Sequence, residues 1–285
     1  MRLLRGFSTS TRTSLAVFLI LSLGLTACGG GESERQEKGD ATPKATGAAA
    51  GNIEEYCKNF LAIEMAQPDI NFEAPPAELV EGAKMFARQD LRPLADKVVA
   101  TAPDEIKDEI AVLNQGVSDL ERTGDFQVFE TPQFVEADEA VDEYTIENCG
   151  WKEVNITATE YAFGGVAPEI EAGVTSFEFS NEGAEHHEMV IHRKNDGVTE
   201  TFDQLLALSR DQLEAKVTFA GYAEAHPKEE GGHAVADLRP GQYHMVCFIP
   251  VGSTPEAEKA AQDAGRDVEG PPHFTRGMKA EFTVK

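Results

Sequence analysis

Gly241-Gln242-Tyr243-His244-Met245-Val246-Cys247 follows the turn residues Leu238-Arg239-Pro240. A turn followed by a run rich in β-branched and aromatic residues reads as a strand. Side chains alternate across a strand, so Tyr243, Met245 and Cys247 share one face, and Cys247 can point into a core. Further on, His273-Phe274-Thr275-Arg276-Gly277-Met278 brings a His and a Met near the end of the chain. An earlier run, His187-Glu188-Met189-Val190-Ile191, holds another His. Two imidazoles, a thiolate and a weak thioether are the donors of a mononuclear electron-transfer copper site.

Around this stretch the pattern has a period of two. Val154–Thr159, Val174–Phe179, His187–His192, Tyr243–Phe248 and Ala280–Val284 all read as strands. Several short strands between Gly and Pro turns imply a β-sandwich. Residues 201–215 read as helical.

Before Gly150 the period is that of a helix. Ile53, Tyr56 or Cys57, Phe60 and Ile63 lie on one face. Pro75-Pro76 opens a second segment, and Pro93 ends or kinks it. Pro103-Asp104-Glu105 starts a third, with the stripe Ile106, Ile110, Leu113, Val117 and Leu120. Thr131-Pro132 reads as an N-cap followed by Pro at the first helical position, and Gly150 as a stop. About four helices with short connections imply an up-down bundle over residues 52–150. An even helix count puts the start of the first and the end of the last at one end. Cys57 and Cys149 are then neighbours, and a disulfide between them is expected. The fold class is α+β in two domains, a four-helix-type bundle and a sandwich over 151–285. All seven His residues follow Gly150, so the chemistry belongs to the second domain.

The first 27 residues are read as a leader. Arg2, Arg5 and Arg12 precede the apolar run Leu15–Leu25, which is short for a membrane span. Leu25-Thr26-Ala27-Cys28 resembles the bacterial lipobox. That resemblance implies cleavage before Cys28, lipidation of its thiol and attachment to the outer face of the cell membrane. An ordinary signal peptide would leave Cys28 a spare thiol. Gly29–Gly51 reads as a flexible tether, so residues 28–51 link lipid to domain. Loss of the leader takes the formal charge from −25 to −28. Such acidity excludes binding to nucleic acid or anionic lipid through the surface field. Of the four cysteines, lipid on Cys28 and a Cys57–Cys149 pair leave Cys247 over. An odd Cys in an exported chain calls for an explanation, and a metal-bound thiolate supplies one.

The second half resembles the cupredoxins, small Greek-key β-sandwiches that hold blue copper. Three pieces carry the resemblance. Asn181-Glu182-Gly183 with His187–Ile191 resembles the turn and strand presenting the first His. Pro240–Cys247 resembles the turn and strand ending in the Cys. His273–Met278 resembles the closing loop with the second His and the axial Met. The resemblance maps the copper ligands onto His187, Cys247, His273 and Met278. It implies electron transfer or copper handling with a redox partner or a copper donor or acceptor protein, and no catalytic residue. Ile249–Pro272 departs from the family, which keeps only a few residues between Cys and second His. Prolines mark both ends of this insertion, and its centre reads as a short helix. Phe248, Pro272 and Phe274 are expected to form an apolar shell. His186 and His187 point to opposite faces of a strand, so at most one faces the metal. His187 is favoured, leaving His186, His192, His226, His233 and His244 on the surface or in loops. A competing reading keeps the sandwich without metal and gives the work to a partner-binding helical domain. A multinuclear copper enzyme is disfavoured, because no second His-x-His cluster is present.

Overall fold

The computed structural model describes residues 47–68, 70, 74–228 and 232–285. Cys28 and the leader lie outside them. Among the described residues no helix is long and apolar enough to cross a membrane.

The first half is helical: α1 (Gly47–Glu64), α2 (Pro76–Phe86), α3 (Arg92–Thr101), α4 (Lys107–Thr123) and α5 (Pro132–Cys149). Pro93 does not end its helix. The backbone widens into one π turn, Ala87–Leu91, and continues as α3. Proline has no N–H and its ring crowds the carbonyl four residues back, here on Gln89; a widened turn absorbs both defects. The α4 stripe Ile110, Leu113, Val117 and Leu120 is buried as its spacing predicts. Thr131 stands at the α5 N-cap position without capping it, because its hydroxyl donates to the Val128 carbonyl at 3.3 Å. Gly150 ends the helix in the left-handed region, φ 62°. Tyr56, Phe60, Phe86, Leu91, Leu120, Phe129, Phe134 and Val141 make one apolar core. Cys57 and Cys149 form the expected disulfide, with Cα atoms 5.6 Å apart.

The second half holds β1 (Lys152–Thr159), β2 (Ala162–Gly164), β3 (Glu169–Ile170), β4 (Gly173–Asn181), β5 (His187–Lys194), β6 (Val217–Ala225), β7 (Gly232–Leu238), β8 (Gly241–Val246) and β9 (Lys279–Val284). One sheet runs β2-β1-β4-β7 and the other β3-β9-β8-β5-β6. Pairing is antiparallel except for β1 with β4 and β3 with β9. The two sheets share one core. Phe177 and Phe179 enter it from β4, Met189 and Ile191 from β5, Tyr243 and Met245 from β8, and Phe282 and Val284 from β9. Each buried aromatic stabilises the sandwich by roughly 2–3 kcal/mol. Tyr243 also locks its own turn, since its hydroxyl accepts from the Arg239 amide and donates to the Arg239 carbonyl.

Residues 201–215 form two short helices, α6 (Phe202–Leu206) and α7 (Arg210–Glu214). Local capping divides them. Thr201 and Gln204 exchange side-chain-to-backbone bonds at one start, and Gln212 accepts from the Ser209 amide at the next. Phe202, Leu205, Leu213 and Val217 form a second apolar cluster here. The Phe202 ring centroid lies 4.2 Å from that of His244. This cover corrects the surface placement of His192 and His244. Both are buried, and Nδ1 of His192 lies 2.9 Å from Nε2 of His244. His233 also lies in a strand, β7.

Burial lowers His192 to about 4, and burial with the neighbouring imidazole lowers His244 to about 3. Phe219 and Phe248 face His192, Phe202 faces His244, and Lys194 sits over the Phe202 ring. The folded pKa values fall below the unfolded value near 6.5, so the unfolded chain binds more protons between them. Stability from this neutral pair is therefore present above about pH 6.5 and lost as pH falls toward 4. Denaturant unfolding should show a drop on the order of 3 kcal/mol across that window. The double variant His192→Leu with His244→Leu should show a shallower drop than the parent; an equal drop would contradict the assignment.

Candidate metal centre

The strand β8 ends just before Cys247, and the alternation seen in the sequence turns its thiol inward, fully buried. His187 opens β5, the neighbour of β8, and is also fully buried. His273 comes from the short 3₁₀ turn His273–Arg276 after the insertion. One donor atom each from His187, Cys247 and His273 lies within 4.8 Å of the others. The two Nδ1 atoms are 3.1 Å apart, and Cys247 Sγ is 3.3 Å from His273 Nδ1. Donors sharing one tetrahedral metal at about 2.0–2.3 Å stand roughly 3.3–3.6 Å apart, so the spacing fits a common ion. Met278 is fully buried in the same core.

The insertion does not pull the donors apart, because its base is stitched. Pro250 and Pro272 form an isolated antiparallel bridge. The Val251 amide donates to the Pro271 carbonyl at 2.9 Å, and the His273 amide to Ile249 at 2.8 Å. The Phe274 amide donates to the Cys247 carbonyl at 3.0 Å and the Cys247 amide to Met278 at 3.2 Å. The excursion leaves and returns at adjacent points, with α8 (Pro255–Asp263) as its helix. Phe248 and Phe274 meet edge to face at 5.5 Å beside the site.

Electrostatics favour a cation here. Burial pushes the Cys247 thiol up, with Glu188 adding to the rise and the Glu188 and Ile249 amides opposing it. His187 is lowered to about 4 by burial and by His273, and burial likewise lowers His273. The bare centre therefore holds a neutral thiol and neutral imidazoles with open lone pairs. A soft or borderline metal would convert the thiol to thiolate and release its proton.

Three residues that the sequence reading did not single out steady the donors. Glu185 Oε2 is 3.0 Å from His273 Nε2, and Tyr161 donates to Glu185 Oε1 at 2.7 Å. The Gly252 amide also donates to Glu185. Burial alone would raise the Glu185 carboxyl; these partners outweigh it and hold it below the usual range. Glu160 Oε1 lies 3.6 Å from His187 Nε2 and accepts from the Ala184 and Glu185 amides. A carboxylate behind each imidazole fixes the ring and leaves Nδ1 for the metal. Asn181 binds the Glu185 and Ala225 carbonyls and accepts from Gly183, which holds the turn before His187. The one available signal was that Glu185 directly precedes the His pair. For Glu160 and Tyr161 the partnership exists only after β1 and β5 come together. Replacing Glu185 by Gln should lower copper affinity about 10–100-fold with the fold retained; a metal titration showing no loss would contradict the orienting role.

His186 is not exposed as the sequence suggested. Only 12% of its side chain is accessible; Nδ1 lies 3.0 Å from Glu258 Oε1 and Nε2 lies 3.6 Å from Glu224 Oε2. His226 is exposed, as expected, and its ring stacks on His186 at 4.3 Å.

No family model matches the chain, and no curated protein matches it. Solved structures similar to its second half include auracyanin A, a "blue" copper protein from Chloroflexus aurantiacus. It is 15% identical over 48% of this chain and 100% of its own, with a TM-score of 0.28. A dithionite-reduced auracyanin from Roseiflexus castenholzii is 22% identical over 47% of this chain and 97% of its own, TM-score 0.27. A laccase from Pediococcus acidilactici is 11% identical over 48% of this chain and 27% of its own, TM-score 0.26. Blue copper proteins and a copper oxidase thus both figure among these structures. Scores this low leave the functional reading to the donor geometry itself.

Proposed function

We propose that the protein is a lipid-anchored, extracytoplasmic copper protein that passes single electrons and is not an enzyme. The observation that carries this is the mutual approach of His187, Cys247 and His273 donors within 4.8 Å, all three fully buried. Copper suits that donor set, because thiolate selects for softness and imidazole holds both oxidation states. When bound, copper supplies one-electron chemistry, and the chain does the rest. His187 and His273 present Nδ1, Cys247 presents sulfur, and Met278 is assigned the weak axial position. Glu160 and Glu185 hold the rings from behind, and the stitched base of the insertion keeps His273 and Cys247 in place. Fixed donors limit rearrangement between oxidation states. Burial of every donor also excludes water and slows metal exchange, which favours electron transfer over copper carriage.

On this reading the second half is a cupredoxin-like Greek-key sandwich. The helical half is a four-helix-type bundle, with α2, the π turn and α3 as a single rod. Cys28 carries the lipid, and residues 28–51 tether the domains to the membrane. A redox partner with a basic face would suit the net charge of −25. Adding Cu(II) to the purified protein tests the reading: an intense visible thiolate-to-copper band is expected. Failure to take up copper, or a weak band without thiolate character, would contradict it.

A further inference from the structure

A second group of donors lies on the other side of the His186-His187 pair. Strands β5 and β6 are antiparallel with His187 opposite Ala225. That register places the next residue outward on each side, His186 and His226, across from one another. The third member, Glu258, comes from α8 in the insertion. The His186 amide donates to the Ser253 carbonyl at 2.8 Å, which holds the start of that helix against the sheet. One donor atom each from His186, His226 and Glu258 lies within 4.8 Å of the others. His186 Nδ1 faces Glu258, and its other nitrogen faces Glu224. Tyr222 donates to that same Glu224 oxygen at 2.6 Å. A carboxylate behind the ring, itself fixed by a hydroxyl, repeats the Glu185–Tyr161 arrangement behind His273.

We infer that His186, His226 and Glu258 form a second metal site, for a borderline divalent cation such as Zn(II), which clips the inserted helix onto the sheet. The site shares no donor with the buried centre. Two imidazoles and a carboxylate, with no thiolate, suit Zn(II), Ni(II) or Cu(II) and do not suit Cu(I). Three protein donors leave a position for water, and the exposed His226 puts that position toward solvent. A plain ion pair of His186 between Glu224 and Glu258 is the competing account, and it gives His226 no part. The stacked second imidazole is what distinguishes the two.

The test is equilibrium dialysis of the full chain against Zn(II) with excess Mg(II), which occupies carboxylate-only surface sites. Metal content is then measured. The wild type should retain two equivalents, one at each centre. His226→Ala should retain one, Cys247→Ser should retain one, and the double variant none. Glu224→Gln should keep two equivalents and bind one about 10-fold more weakly, as a positioning residue does. Full retention of two equivalents by both His226→Ala and Glu258→Gln would overturn the proposal, and so would a wild type retaining one equivalent that Cys247→Ser abolishes. Loss of one equivalent in His226→Ala with no loss in Cys247→Ser would instead overturn the buried copper centre and leave this site standing. His226 is exposed, so its replacement leaves folding intact, checked by an unchanged thermal melt.

Discussion

Cys247→Ser should lose the visible charge-transfer band completely while remaining folded. The band requires a thiolate, and Cys247 is the free cysteine among the described residues. Serine fits the space, and its hydroxyl can meet the groups that now face sulfur. Those are the Glu188 amide at 3.5 Å and His273 Nδ1 at 3.3 Å. The expected stability change is therefore only about 1 kcal/mol. Copper affinity should fall by more than the 10–100-fold that loss of an outer partner costs. Copper bound at the exposed imidazoles would give no thiolate band, so the spectrum separates the two centres. A variant that keeps the band would show that sulfur does not hold the metal.

The second large effect is expected in the helical half. The Cys57–Cys149 bond closes a loop with a sequence separation of 92. Loop-closure entropy for that length corresponds to roughly 4–5 kcal/mol of stabilisation. Replacing both cysteines by Ala should lower the unfolding free energy by about that amount. Trp151 is the single Trp of the chain and packs against Phe60, so its fluorescence follows this core. The copper band should persist at denaturant concentrations where the Trp151 signal has already changed. A loss below about 1 kcal/mol would contradict the entropic role, and simultaneous loss of both signals would contradict two separate domains.

Much of this was legible because it is written in local periods. The α4 stripe, the inward face of β8 and the left-handed stop at Gly150 need only neighbours along the chain. The Cys57–Cys149 pair followed from counting helices. What the sequence hid depends on a second layer arriving from far away. His192 and His244 looked like solvent-facing residues because alternation puts them opposite the core; α6 and α7 then cover that face. Pro93 looked like a stop because a π turn leaves no period of its own. Glu160 and Tyr161 lie about 25 residues before His187 and over 100 before His273, and only the sheet brings them to the imidazoles. The insertion looked like a threat to the site; backbone bonds between Ile249, Val251, Pro271 and His273 close it, and side-chain patterns do not report backbone bonds.

The most direct test of the buried centre is X-ray absorption at the copper edge on the full protein loaded with one equivalent of Cu(I). Cu(I) is soft and selects thiolate over the exposed His and Glu donors. One short sulfur with two imidazole nitrogens is the predicted coordination. A shell of nitrogen and oxygen alone would contradict the account.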